Sequence, residues 1–276
     1  MKKILVPIDF SPNSSNALAY AVRLAAHERS ELVVLHAYTP FAADPYLVAM
    51  YEEDIVAQQE TFAKEHFDRM LLALPQELLA HIHVSLLLEL GTPVETILHV
   101  AQSIQPDLVV MGMRSGSSIA KKIFGSTTSG VIQRLETPMM VVPDGVAYQI
   151  PLEIGFATDL MEGDEKILDE INQFGSDWRA RITCIHVFDG IDAEKSMRLH
   201  RLKKYCSDRE DLRRVEVISI SNQEVVDGIL NLVENHEINL LVMRTHHRGF
   251  WASWLHASVT KDVARKTTVP LLVFPM

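Results

Sequence analysis

The sequence repeats itself at about half its length, and this repeat limits the possible fold more than any other feature. Asp9 ends the apolar run 4–8, and Asp159 ends a second such run 150 positions later (159 − 9 = 150). His36 and His186 recur at the same offset inside similar tripeptides. Further along the chain the offset becomes 132. The matches at that offset are Val94 with Val226, Ile97 with Ile229, Leu98 with Leu230, Ala101 with Val233, Thr128 with Thr260, and the runs 108–111 with 240–243 and 138–142 with 270–274.

Matches in constant register over so many segments predict two homologous domains, which we place at residues 1–144 and 149–276. A chain of 276 residues is long enough for two domains of ordinary size. The decrease in offset from 150 to 132 means that the first domain carries 18 more residues, somewhere within 40–74.

Within each copy, short apolar runs alternate with segments of helical periodicity. Strands are predicted in the first copy at Lys3–Ile8, Glu31–Ala37, Ile82–Glu89, Leu108–Gly112 and Pro138–Val142. Helices are predicted after the N-cap pair Ser11-Pro12, over Tyr46–Leu72, after Gly91-Thr92-Pro93, and over Thr127–Leu135. This alternation favours an α/β fold in which each domain is a doubly wound, five-stranded parallel sheet flanked by helices.

Composition excludes several classes of protein. Twenty-six Lys and Arg against 36 Asp and Glu give a net charge of −10, which disfavours non-specific binding to nucleic acid or to an anionic membrane. The most apolar window, 71–90, is interrupted by polar residues and is not a membrane span. The apolar run near the N-terminus is too short for a signal peptide. Two cysteines, Cys184 and Cys206, without a Cys-x-x-Cys pair indicate a reducing, cytoplasmic compartment.

Open parallel sheets bind ligands beyond the carboxyl ends of their strands, so the residues that follow each strand are candidates for a site. In the first copy these are Pro7 and Asp9, then Ala37, then Met111 and Gly112. Asp9 either contacts a ligand or caps the first helix, and the sequence leaves both interpretations open.

The segment 112–128 follows a strand and precedes a helix, which suits a phosphate. Gly112 would let a ligand approach the backbone. Free N–H groups and hydroxyls at the helix start come from Gly125, Ser126, Thr127 and Thr128, and positive charge would come from Arg114, Lys121 and Lys122. In the alternative interpretation the glycines only form turns and the hydroxyls only cap the helix.

These features resemble the universal stress protein family in its tandem two-domain form. The resemblance rests on the opening run 4–11, and on Met111-Gly112 followed by Gly125-Ser126 and a last strand that starts at Pro138. The family's nucleotide motif is Gly, two residues, Gly, nine residues, Gly, then Ser or Thr. Here Ser115 replaces the second glycine and Gly116 follows it. The resemblance implies Rossmann-like domains and a stress-response protein that acts as a nucleotide-dependent sensor or regulator.

The resemblance also implies a ligand, ATP or another adenine nucleotide, with or without Mg²⁺. Asp9 and the backbone of Ala37 would face adenine and ribose, and Met111 and Gly112 would border the ribose. The phosphates would be held by Ser115, Gly125, Ser126, Thr127 and Thr128. By the same resemblance the edge strands 138–142 and 270–274 would pack about a pseudo-twofold axis, so that one chain imitates a homodimer, and two chains could also pair.

The second copy departs from the nucleotide motif. Its corresponding residues are Arg244, His247, Ala257 and Ser258, and Trp251 and Trp254 add bulk to the intervening loop. Arg244 is predicted to place a long side chain where the ligand would pass. We therefore expect weak or no nucleotide binding in this domain. Its role would be structural, would involve a partner, or would involve a non-nucleotide ligand such as a lipid or metabolite.

No constellation of nucleophile, base and orienting group is visible, so slow ATP hydrolysis is the most that we expect. The alternatives are an enzyme that uses ATP for adenylyl transfer or hydrolysis, and an interaction scaffold without nucleotide. The histidines His246, His247 and His256 lack a tight ligand spacing, and no metal site is predicted. His81 and His83 are placed on one strand face, while His36 and His186 are predicted to be buried and hydrogen-bonded.

Overall fold

The chain divides into two compact units, residues 1–148 and 149–276. The structure is a computed structural model, and it describes residues 1–39, 45–113, 126–190, 193–244 and 254–275.

The first unit is a five-stranded parallel sheet with the strand order β3-β2-β1-β4-β5. Helix α1 packs on β1 and β4, and α4 packs on β2. Its elements are β1 (Lys3–Ile8), α1 (Pro12–Glu28), β2 (Glu31–Tyr38), α2 (Pro45–Leu72), α3 (Gln76–Leu79), β3 (Val84–Leu90), α4 (Pro93–Ile104), β4 (Leu108–Met113), α5 (Ser126–Arg134) and β5 (Met139–Pro143).

The second unit repeats this arrangement in the order β10-β9-β6-β7-β8, again with parallel pairing. Its elements are β6 (Glu153–Ala157), α6 (Asp164–Gly175), β7 (Arg181–Phe188), α7 (Ala193–Ser207), β8 (Val215–Ser221), α8 (Val225–Asn235), β9 (Leu240–Arg244), α9 (Trp254–Lys266) and β10 (Leu271–Phe274). The predicted doubly wound α/β fold with five parallel strands in each half is therefore confirmed.

The repeat is also visible in unusual backbone conformations. Non-glycine residues rarely adopt a positive φ, because the Cβ atom then crowds the backbone. Here such residues occur in pairs whose separations equal the sequence offsets. The pairs are Phe10 (φ 60°) with Leu160 (58°), Arg29 (54°) with Arg179 (56°), and Gln105 (46°) with Glu237 (50°). The two units therefore share the turns that follow their equivalent strands and helices, which hydrophobic periodicity alone does not show.

Most predicted elements are found within two residues of their predicted ends, and the predicted N-cap Ser11 accepts a hydrogen bond from the backbone N–H of Ser14 (3.3 Å). One prediction is wrong: β3 begins at Val84, so His81 and His83 precede the strand and do not share one of its faces. Helix α3 was not predicted, because one helical turn is too short to show a period.

The central strands are buried on both faces, as their continuous apolar sequences indicate. Leu5 and Val110 are fully buried in the first unit, and Phe156 and Val242 in the second. Among the described residues, no helix is long and apolar enough to cross a membrane. Cys184 lies on β7, and burial raises the pKa of its thiol.

Tyr148 provides a test of packing at the end of the first unit. Its ring packs edge-to-face on Tyr20 with centroids 5.2 Å apart, and its buried hydroxyl has no hydrogen-bond partner in the described ranges. Burial raises the pKa of Tyr148 to about 12, with a further contribution from the charge of Glu28.

Because Tyr148→Phe keeps the ring and removes the unpaired hydroxyl, we expect the unfolding free energy to rise by about 1 kcal/mol in urea titrations. Tyr148→Leu, which loses the ring contact, is the control and should lower it. A loss of stability in Tyr148→Phe would contradict this account.

Candidate functional site

A cleft of about 360 Å³ opens at the carboxyl ends of β1, β2 and β4. Strand β1 lies between β2 and β4, so the chain order reverses at this point of the sheet, where doubly wound folds leave a crevice. The cleft brings together eight predicted residues: Pro7, Asp9, Ala37, Met111, Gly112, Ser126, Thr127 and Thr128. Ser115 and Gly125 lie outside the described residues, as do Arg114, Lys121 and Lys122.

Sequence reasoning missed other residues of this cleft. They are Ile8, Ser11, Asn13, Ser14, Leu35, Pro93, Ile97 and Met113. Leu35 belongs to the predicted strand 31–37, and Ile97 belongs to a helical apolar repeat. Neither pattern distinguishes the wall of a cleft from the core. Pro93 is the first residue of α4 and faces the cleft because that helix starts at its rim. Asn13 and Ser14 follow Asp9 by only a few residues, and this position is the signal in the sequence that could have placed them on the cleft.

Asp9 makes hydrogen bonds within the loop after β1, and it also lines the cleft. Its Oδ1 accepts a hydrogen bond from the backbone N–H of Ser11 (3.0 Å), and its own N–H donates to Oγ of Ser14 (3.3 Å). Partial burial raises the pKa of Asp9, but hydrogen bonds involving Ser11 and Ser14 outweigh this and hold the pKa below its ordinary value. The N-cap of α1 is Ser11 rather than Asp9, so the helix-capping interpretation is wrong, and the carboxylate of Asp9 lines the cleft.

Gly112 is required by packing rather than only by access to the backbone. A Cβ atom at this position would lie 2.3 Å from the carbonyl oxygen of Asn13 and 3.3 Å from the backbone nitrogen of Ser14. The start of α1 therefore rests directly on β4. The Oγ1 of buried Thr128 donates to the carbonyl oxygen of Gly112 (3.4 Å), which ties the start of α5 to the same strand.

Helix α5 begins at Ser126, and the N–H groups of its first turn have no acceptor within the helix. Ser126 is exposed, whereas Thr127 is half-buried beside it on the cleft. Unpaired N–H groups at a helix start carry partial positive charge and attract anions. The polar end of this cleft therefore suits a phosphate, while Leu35, Ile97 and Met111 form an apolar wall.

A second cleft, of about 280 Å³, lies at the equivalent edge of the second unit, and it includes Asp159, Val187 and Arg244. Arg244 lines this cleft, and its guanidinium also reaches the loop after β6. It donates to the carbonyl oxygen of Glu162 (2.7 Å) and lies 3.4 Å from Oδ1 of Asp164, and so it rests on the loop after β6. The side chains at His247, Trp251, Trp254, Ala257 and Ser258 fall outside the described part of the chain.

Equivalent positions are neighbours in both units, but the glycine stands on the opposite side of the contact. In the first, β4 contributes Gly112 and the start of α1 contributes Asn13; in the second, β9 contributes Arg244 and Gly163 precedes α6. These positions correspond at the two offsets, since 244 − 112 = 132 and 163 − 13 = 150. A Cβ on Gly163 would lie 3.5 Å from a guanidinium nitrogen of Arg244, which is an ordinary contact, and it is the φ of +91° that favours glycine there. Arg244 thus lies beside Gly163 in the second unit, as Gly112 lies beside Asn13 in the first.

The repeated histidines have a structural role. Nδ1 of His36 lies 3.0 Å from the carbonyl oxygen of Ile8, and Nδ1 of His186 lies 3.1 Å from that of Thr158. The prediction of hydrogen-bonded histidines is confirmed, although His36 is only half-buried. No group of three His, Cys, Asp or Glu in the described ranges could hold a metal. His246 and His247, and the side chain of His256, fall outside those ranges.

Comparisons with known proteins agree with the repeat. The universal stress protein family model matches twice, at residues 1–143 and 153–275. A universal stress protein of Mycolicibacterium smegmatis is 23% identical over 300 aligned positions, covering 98% of this chain and 96% of the relative. One from Thermus aquaticus is 30% identical over 145 residues, covering 51% of this chain and 98% of the relative. The crystal structure of a universal stress protein from Archaeoglobus fulgidus has a TM-score of 0.76 at 22% identity, covering 99% and 98% of the two chains. This chain therefore belongs to the universal stress protein family and contains two copies of its domain.

Proposed function

We propose that the first cleft binds ATP and that this protein acts in the stress response as a nucleotide-dependent sensor or regulator. The observation that carries the proposal is the convergence, in one cleft, of the carboxylate of Asp9, the small side chain of Ala37 and the start of α5. These groups suit, respectively, the hydrogen-bond donors of adenosine, a flat base and a phosphate chain.

The residues of the cleft divide the nucleotide between them in this proposal. Asp9 accepts hydrogen bonds from the base or ribose, and Met111 packs on the ribose. The phosphates lie against Ser126, Thr127 and Thr128, and the segment that contains Ser115 and Gly125 completes their binding. Mg²⁺, when present, neutralises phosphate charge, and the ionised Asp9 is the type of ligand that this cation prefers.

Binding rather than catalysis is the proposed activity. Bound ATP stabilises the folded first domain by mass action, and this shift in stability is the form in which nucleotide levels would be sensed. Hydrolysis and adenylyl transfer remain the enzymatic alternative, and phosphate release from ATP well above background would support it.

A charge placed at the start of α5 tests the proposal. Ser126→Asp should weaken ATP binding by at least about tenfold in calorimetric titrations, because like charges some 4 Å apart at an intermediate dielectric repel by about 4 kcal/mol. Adenosine, which has no phosphate, should bind equally well to the variant and the wild type. An acidic residue in the first turn of a helix is favourable, so the fold should be retained.

Ser129→Asp is the matched control, since it adds the same charge to the same first turn but is not among the residues that line the cleft. Its ATP affinity should stay within about threefold of wild type. Equal losses in both variants would point to a general charge effect. No measurable binding of ATP, ADP, cAMP or adenosine to the wild type would refute the proposal and favour the scaffold alternative.

A further inference from the structure

The second cleft is lined mainly by apolar side chains. They come from strand β7, helix α8, strand β9 and helix α9, and they are Ile185, Val187, Val225, Ile229, Met243 and Val259. An apolar cavity that stays open reduces the stability of a protein, because its lining lacks packing partners. A ligand that fills such a space recovers those contacts.

Comparison with the first cleft shows where the chemistry differs. The walls are conserved in character, because Leu35, Ile97 and Met111 of the first cleft correspond to Ile185, Ile229 and Met243 of the second. At two positions the second cleft carries a larger or more apolar side chain: Val187 replaces Ala37, and Val259 replaces Thr127.

Val259 has no hydroxyl, whereas the equivalent Thr127 places one in the first turn of α5, where the first cleft suits a phosphate; in the second unit the equivalent helix α9 begins earlier, at Trp254. The change at Val187 adds a branched side chain where the first cleft leaves room for a base. Both changes reduce the space and the hydrogen bonds available to a nucleotide.

The cations beside the second cleft are already engaged by oxygen atoms of the protein. Nζ of Lys195 lies 2.7 Å from Oδ1 of Asp159, the counterpart of Asp9. Arg244 donates to the Glu162 carbonyl and approaches Asp164. Asp189 adds a further negative charge to the lining. Nε of Arg244 is buried without a hydrogen-bond partner among the described residues, but the carboxylates of Asp159 and Asp164 offset the positive charge that an anionic ligand would meet.

We propose that the second cleft binds a small, uncharged, mostly apolar molecule, such as an aromatic ring system or a short hydrocarbon chain. Its volume of about 280 Å³ is at the lower end of the range for small-molecule sites. This inference is independent of nucleotide binding in the first cleft. The two halves of the chain then bind ligands of different polarity at equivalent places.

Indole is a suitable probe, because it is uncharged, aromatic and compact. Titration of the full chain with indole, followed by calorimetry and by ligand-observed NMR, should show saturable binding at one site per chain. Indole-3-carboxylate, which adds a negatively charged carboxylate to the same ring system, should bind at least tenfold more weakly. Excess ATP should leave the indole titration unchanged.

Reciprocal variants assign the site. Val187→Trp should abolish indole binding and leave the ATP titration unaltered, whereas the matched variant Ala37→Trp at the equivalent position should do the reverse. Val187 is buried, so a tryptophan there could unfold the protein. Val225→Trp is a second variant that fills the cleft from the half-exposed start of α8. An unchanged circular dichroism spectrum, together with retained ATP binding in the Val187 and Val225 variants and retained indole binding in Ala37→Trp, shows that each variant is folded.

Three results would overturn the proposal. The first is no saturable indole binding to the wild type. The second is tighter binding of indole-3-carboxylate than of indole, which would mean that the cations recruit an anion. The third is loss of indole binding in Ala37→Trp but not in Val225→Trp, which would place the probe in the first cleft. If the wild type does not bind ATP, these three indole measurements can still be interpreted.

Discussion

Gly112→Ala is expected to destabilise the first unit by about 3 kcal/mol, since an added atom would overlap the main chain. The new Cβ would lie 2.3 Å from the carbonyl oxygen and 2.7 Å from the carbonyl carbon of Asn13. Relief requires the start of α1 to move away from β4, which would also displace Asp9 and Ser14 at the rim of the cleft. Urea unfolding followed by circular dichroism measures the effect.

Gly190→Ala is the matched control, because a Cβ at Gly190 meets nothing within 4 Å and its φ lies outside the left-handed range. Its stability should stay within about 0.5 kcal/mol of wild type. Wild-type stability of Gly112→Ala would show that the contact between α1 and β4 is not as close as described.

The packing role of Gly112 affects how ligand experiments are read. On sequence grounds Gly112→Val is an obvious variant for removing a ligand site. In the structure, the same substitution would also displace the loop after β1. A loss of ATP binding would then not show whether the new side chain blocks the cleft or whether the residues that form the cleft have moved. Ser126→Asp avoids this difficulty because Ser126 is exposed.

Asp164→Ala is expected to lower the unfolding free energy of the second unit by about 3 kcal/mol, because it leaves buried partners unpaired. Asp164 is 4% exposed and accepts hydrogen bonds from Oγ1 of Thr158 and from the backbone N–H of Met161 (2.9 Å), with Arg244 close to its other oxygen. Burial raises the pKa of Asp164, although these hydrogen bonds act in the opposite direction. Chemical denaturation of the full chain provides the measurement.

Asp169→Ala serves as the control for the loss of a charged pair that is exposed. Asp169 pairs with Arg209 (2.5 Å), and its side chain is 40% exposed, so this substitution should cost less than about 1 kcal/mol. The double variant Asp164→Ala with Arg244→Met should be more stable than Asp164→Ala alone, because it removes the uncompensated guanidinium. Equal effects at Asp164 and Asp169 would contradict the buried network.

The sequence was sufficient to predict the architecture and the position of the first cleft. Offsets of 150 and 132 predicted two homologous units, and the apolar strands separated by helical periods predicted parallel sheets. Because parallel strands present their carboxyl ends on one edge, the residues that follow β1, β2 and β4 were expected together, and Asp9, Ala37 and Gly112 lie on one cleft.

The tertiary structure decided the role of each side chain, because these roles depend on contacts between segments far apart in the chain. The sequence places Gly112 and Asn13 99 residues apart (112 − 13), and nothing local indicates that their backbones touch. The direction of Arg244 likewise depends on its hydrogen bond to the carbonyl oxygen of Glu162, which is 82 residues away in the chain. Periodicity fixes which face of a helix or strand is apolar, whereas the distance between two backbones is fixed only when the sheet and its helices pack. For this reason the sequence determined that the second nucleotide motif is lost, and only the packed structure decided that a mainly apolar cleft remains in its place.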